Sequence, residues 1–70
     1  MEIVAQLAQN VRRLRLAKGW SQEELAAQAG VHRTFVSQIE LMKKKSTIET
    51  VDKLAKGLGV RAGLLLDPPE

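Results

Sequence analysis

Few side chains in this sequence could take part in chemistry, and their kinds point to recognition rather than bond-making. The sole histidine, His32, has neither a second ligand nor a nucleophile beside it, so metal binding and base catalysis are not indicated. Glu23 and Glu24 are adjacent, which on a helix turns them about 100° apart, and no pocket-forming residues accompany them. There is no cysteine, no tyrosine and no glycine-rich phosphate loop. An enzyme is therefore excluded, and no metal or cofactor is expected. What remains is a polar set on one short stretch: Arg33, Thr34, Ser37 and Gln38. Helical spacing turns these four outward, while Val36 and Ile39, three residues apart, turn inward.

Two short helices and a tight turn must position that set. Ser21 is a good N-cap, and Glu24 three residues later completes a capping box. Trp20 before the cap and Leu25 at the fourth helical position have the spacing of a hydrophobic staple. Gly30 stops this helix where the chain needs a positive φ. After Val31 a second helix begins at about His32 or Arg33. With Gln22 as the first position, a small residue (Ala26) falls fifth, glycine (Gly30) ninth and a branched apolar residue (Val36) fifteenth. The small residue permits close approach, the glycine makes the turn and the valine locks the second helix onto the core: a helix-turn-helix.

The stretch S-Q-E-E-L-A-A-Q-A-G-V-H-R-T-F-V-S-Q-I-E resembles the DNA-binding domain of the phage repressor and Cro family, the Xre type. The likeness covers about residues 9–66 of a single domain spanning 1–70. It implies an all-α, compact five-helix lambda-repressor-like fold whose third helix enters the major groove of duplex DNA. The base-reading positions of similar repressors correspond to His32, Arg33, Thr34, Ser37 and Gln38. Arg33 is the strongest, since a guanidinium fork suits guanine O6 and N7, and Gln38 suits adenine N6 and N7. Thr34 offers its methyl to thymine. His32 either caps the helix or meets a phosphate, and Phe35 either touches a thymine or sugar or packs on the domain. By the same resemblance Ser21 and Gln22, at a helix N-terminus, address a phosphate. Arg15 pairs with Glu40, tying the first helix to the third.

The family pattern breaks after Glu40. Leu41, Met42, Lys43, Lys44, Lys45, Ser46 and Thr47 stand where similar proteins carry a turn glycine and a proline. The helix is therefore expected to extend or to turn differently. The segment K-K-S-T-I-E-T-V, with H-R-T-F-V-S, also resembles controller proteins of restriction-modification systems.

Charge supports a polyanionic partner. Residues 1–20 sum to +3, from four Lys/Arg against one Glu, and residues 41–61 to +4, from six Lys/Arg against two acids. The stretch between them, 21–40, sums to −2. Basic segments thus flank the recognition helix, with Arg12, Arg13, Lys43, Lys44 and Lys45 as phosphate candidates. An apolar content of 44% with 27% charged residues is globular. No apolar run nears the roughly 18 residues of a membrane span, and no signal segment opens the chain. Together with the missing cysteine, this suits the cytoplasm.

The remaining elements follow from periodicity. Residues 3–18 carry Ile3, Leu7, Val11 and Leu14 on one stripe, with Gly19 closing the helix. Thr47 or Ser46 caps a fourth helix from about Ile48 to Leu58, with Ile48, Val51, Leu54, Ala55 and Leu58 as its buried stripe. A short last helix around 63–66 is stopped by Pro68 and Pro69. Leu64, Leu65 and Leu66 cannot all face one core, so Val60, Leu65 or Leu66 is expected at a dimer interface. The expectation is a sequence-specific regulator of transcription, binding double-stranded DNA as a homodimer on a two-fold operator. Its protein partners would be RNA polymerase or, if the chain is instead an antitoxin, a toxin.

Overall fold

The computed structural model describes residues 2–42 and 47–66. Five helices follow one another: α1 (Glu2–Ala17), α2 (Gln22–Ala29), α3 (Arg33–Glu40), α4 (Ile48–Leu58) and α5 (Ala62–Leu66). The expected contacts of Lys43, Lys44, Lys45 and Ser46, and the stop at Pro68 and Pro69, lie outside the described residues.

α2 packs on both α3 and α4, and α1 crosses α3 and α5 on the other side. Between them lies one core whose fully buried members are Val11, Leu25, Val36, Ile39, Leu54, Leu58 and Leu65. Leu7, Ala26, Ala29, Val51 and Ala55 complete it. Each fully buried Val, Leu or Ile stabilises the fold by about 1.5–3 kcal/mol relative to exposure, so seven of them suffice to order short helices. α2, α3, α4 and α5 fall below the roughly 12–15 residues that an isolated helix requires, so tertiary packing must order them.

Local sequence explains the helix ends. Ser21 Oγ accepts the Glu24 N–H at 3.0 Å, and Thr47 Oγ1 accepts that of Thr50 at 3.2 Å. Trp20 is half-buried against the core that contains Leu25, as a staple requires. The reciprocal arm of the capping box differs from expectation. Glu24 is engaged one turn on, where its carboxylate accepts from Gln28 Nε2 at 2.8 Å. After α2 the chain reverses at Gly30, with φ +72°, and the Val31 N–H closes onto the Ala26 carbonyl at 3.0 Å. This is the left-handed termination that a residue without Cβ allows.

α3 ends in the same way without a glycine. Met42 takes the left-handed conformation at φ +59°, with its N–H on the Ile39 carbonyl at 3.0 Å. The helix therefore stops at Glu40 rather than extending, although the family's glycine is missing.

Three expectations about apolar positions are corrected. Ile48 is 88% exposed and not part of the buried stripe, which starts at Val51. Its angular position matches Val51 and Ala55, but as the first residue after the cap it lies beyond the end of the core. Ile3, 48% exposed, fails for the same reason at the start of α1. Leu65 is fully buried within its own chain, so its side chain is not available at a dimer interface; Val60 and Leu66 remain half-buried.

Candidate nucleic-acid interface

The α2–turn–α3 corner carries the polar set on one side and its anchors on the other. Arg33 and Thr34 are exposed, and Ser37 and Gln38 partly so. Taking about 100° per residue, these four span an arc of about 140°, opposite Val36 and Ile39. Those two are 0% and 1% exposed, so the outward face cannot rotate without emptying the core. Phe35 is half-buried and packs against that core.

His32 does not stand free at the front of α3. Its Nδ1 accepts the Thr34 N–H at 3.1 Å, making the imidazole the helix N-cap. This use of Nδ1 as acceptor leaves Nε2 for any outside partner. Of the two roles open to His32, the structure shows the cap. The Phe35 N–H closes on the His32 carbonyl at 2.9 Å, fixing the first turn.

At the other end of α3, Glu40 is the junction of three segments. Arg15 grips it with two bonds, Nε to Oε2 at 2.7 Å and Nη2 to Oε1 at 2.9 Å. The third arm of the guanidinium, Nη1, donates to the Trp20 carbonyl at 2.8 Å. Gln22 Nε2 adds a bond to Glu40 Oε1 at 3.2 Å. Only 11% of the Arg15 side chain and 5% of the Glu40 side chain are exposed. Hydrogen bonding to Glu40 raises the Arg15 pKa above its ordinary value, and the carboxylate's charge adds to this, against the opposing effect of burial. The pair joins α1 to α3, and the Gln22 bond brings α2 into the same corner. Lys18 Nζ lies 5.0 Å from the Trp20 ring centre, a cation–π contact over the same hinge.

Arg12 and Arg13 are exposed on α1, and Ser21 is exposed at the start of α2. Gln22 donates one of its two side-chain N–H groups to Glu40 Oε1 at 3.2 Å, and its backbone N–H stands in the first turn of α2, where no intrahelical acceptor exists.

Asn10 and Gly57 were not singled out by sequence. Asn10 is 1% exposed and donates from Nδ2 to the Leu65 carbonyl at 2.9 Å. Its signal was an amide set within the apolar stripe of α1, beside Val11. Gly57 lies where α4 crosses α2: a Cβ there would sit 2.9 Å from the Ala29 Cα. Among the described residues no three His, Cys, Asp or Glu side chains come together, and no helix is long and apolar enough to cross a membrane.

The helix-turn-helix family model matches residues 11–65. The Neisseria hypothetical transcription factor of Neisseria meningitidis is 46% identical over 69 residues, covering 99% of this chain and 65% of its own length. The chain thus spans about two-thirds of that relative. Control protein C.BamHI of Bacillus amyloliquefaciens is 42% identical over 60 residues, 84% of this chain and 74% of its own. A crystal structure of the hypothetical transcription factor NHTF from Neisseria superposes with a TM-score of 0.92 at 48% identity, over 96% of this chain and 77% of that one. The restriction-modification controller protein C.Esp1396I, solved as a tetramer with its natural 35-base-pair operator, superposes with a TM-score of 0.86 at 29% identity. That match covers 93% of this chain and 86% of the other.

Proposed function

The chain belongs to the helix-turn-helix family, and on that premise we propose that it is a transcriptional regulator that reads a specific sequence in double-stranded DNA. One observation carries the reading. The only polar groups that α3 presents along its exposed face are held on a corner braced at both ends, by the His32 cap and by the Arg15–Glu40 pair. Preorganised side chains of this kind suit base edges in a major groove about 12 Å wide, which admits one helix. Arg33 addresses guanine, Gln38 adenine, and Thr34 and Ser37 neighbouring edges. Arg12, Arg13, Ser21, the Gln22 N–H and the lysines at 43–45 grip phosphates on either side.

The protein acts as a homodimer on a two-fold operator, with half-site centres roughly 34 Å apart. The half-buried Val60 and Leu66, flanking the anchored Leu65, supply the apolar surface for the second copy. Occupancy of the operator controls transcription in the cytoplasm, by blocking RNA polymerase or by contacting it. Similarity to C.BamHI and C.Esp1396I supports control of restriction-modification genes as the biological role.

Selection from a pool of random duplexes tests this. A two-fold motif with a recurrent guanine in each half is expected, and recovery of unbiased sequences would overturn base reading. Sedimentation at micromolar concentration tests the dimer, which a persistent monomer on and off DNA would contradict.

A further inference from the structure

One buried polar cluster lies away from the reading face. Asn10 sits in the apolar stripe of α1 and is 1% exposed. Its Nδ2 donates to the Leu65 carbonyl at 2.9 Å and reaches the Leu64 carbonyl at 3.4 Å. Arg13 Nη2 donates to its Oδ1 at 3.4 Å. The partners are 54 and 55 residues apart in sequence, so the contact closes the first helix onto the last.

α5 needs that contact. It has five residues, and the carbonyls of its last turn have no partner within the helix. Leu65 sets its depth in the core, Ala62 and Leu66 pack against the edge of that core, and the Asn10 amide holds its carbonyls. Together these set its rotation about the helix axis, and with it where Leu66 stands relative to the surface.

We infer that Asn10 is a positioning residue for self-association: by holding the α5 carbonyls it helps to orient the half-buried Leu66 face of α5, onto which a second copy docks. This rests on the dimer proposed above. Asn10 touches neither DNA nor the partner. An isosteric carboxylate in its place sets an oxygen against a carbonyl oxygen where a donor stood, so α5 loses part of its rotational hold while the α2–α3 corner keeps every contact.

Asn10→Asp and the milder Asn10→Ala test it, with Ala27→Gly on the exposed face of α2 as a control that lowers stability at a distance from α5. Sedimentation equilibrium over a concentration series reads dimerisation, amide hydrogen exchange at 62–66 reads α5, and binding to a short random-sequence duplex at low salt reads the DNA-facing surface. With α5 correctly oriented in about one molecule in three of the Asn10 variants, the dimer dissociation constant should rise about tenfold, since both copies must be competent. Faster exchange confined to 62–66 is expected with it, and Ala27→Gly should dimerise as the wild type does; duplex binding should change by no more than the single phosphate contact of Arg13, whose Asn10 Oδ1 partner is altered. Dimerisation unaffected by either Asn10 substitution would overturn the inference alone, as would an equal loss in Ala27→Gly. A wild-type chain that stays monomeric throughout would remove the dimer reading, and this inference with it.

Discussion

Glu40 is held by Arg15 through two hydrogen bonds of 2.7 and 2.9 Å, with both side chains nearly excluded from solvent. Removing one member leaves a charge buried without its partner, which costs about 3–5 kcal/mol. A single small core seldom supplies more than that, so Glu40→Ala and Arg15→Ala should be largely unfolded at 25 °C. Replacing both, as Arg15→Met with Glu40→Leu, should recover much of the loss. Urea unfolding of the wild type and the three variants measures the losses and the recovery.

Met42 occupies a conformation that costs a side-chain-bearing residue about 1–2 kcal/mol. Glycine avoids that strain and loses part of the gain to the greater freedom of the unfolded chain. Met42→Gly should therefore stabilise by about 1 kcal/mol, seen as a higher urea midpoint at unchanged slope.

Gly57 points the opposite way. Within an exposed helix, alanine would be better than glycine by about 1 kcal/mol. Here its Cβ would lie 2.9 Å from the Ala29 backbone nitrogen and Cα, and backbone does not yield cheaply. Gly57→Ala should destabilise by about 1–3 kcal/mol, as overpacking does, with the α2–α4 crossing pushed apart. A thermal melt decides the sign.

Base readers and phosphate contacts separate by their response to sequence and salt. Arg33→Ala should cost about 1–3 kcal/mol on the selected site and relax specificity at one base position. Arg12→Ala or Lys44→Ala should weaken binding to every sequence alike and reduce the salt slope by about one. Equal losses on selected and random duplexes for Arg33→Ala would contradict its role as a reader.

Much of the corner was legible because its determinants are local. Ser21, Gly30 and the spacing from Gln22 to Val36 act within one or two helical turns, and the structure places the cap, the left-handed turn and the buried valine accordingly. The Arg15–Glu40 pair, though distant in sequence, came from resemblance and is present. The four outward residues of α3 do share one face. Whether they read bases is a matter for the experiments above.

Other features needed the folded chain. Periodicity assigns an angle around a helix but not a place along it, so Ile48 matched the stripe and still projects into solvent. Leu64, Leu65 and Leu66 are alike as a string; packing against α1 and α4 alone decides that the middle one is buried. Gly57 carries no local mark of its importance and Asn10 only its place in an apolar stripe, because each is defined by a neighbour far along the chain, Leu65 for Asn10 and Ala29 for Gly57. Short-range backbone and capping preferences were thus set by the residues themselves, while depth, close approach and the pairing of buried polar atoms arose only once distant helices met.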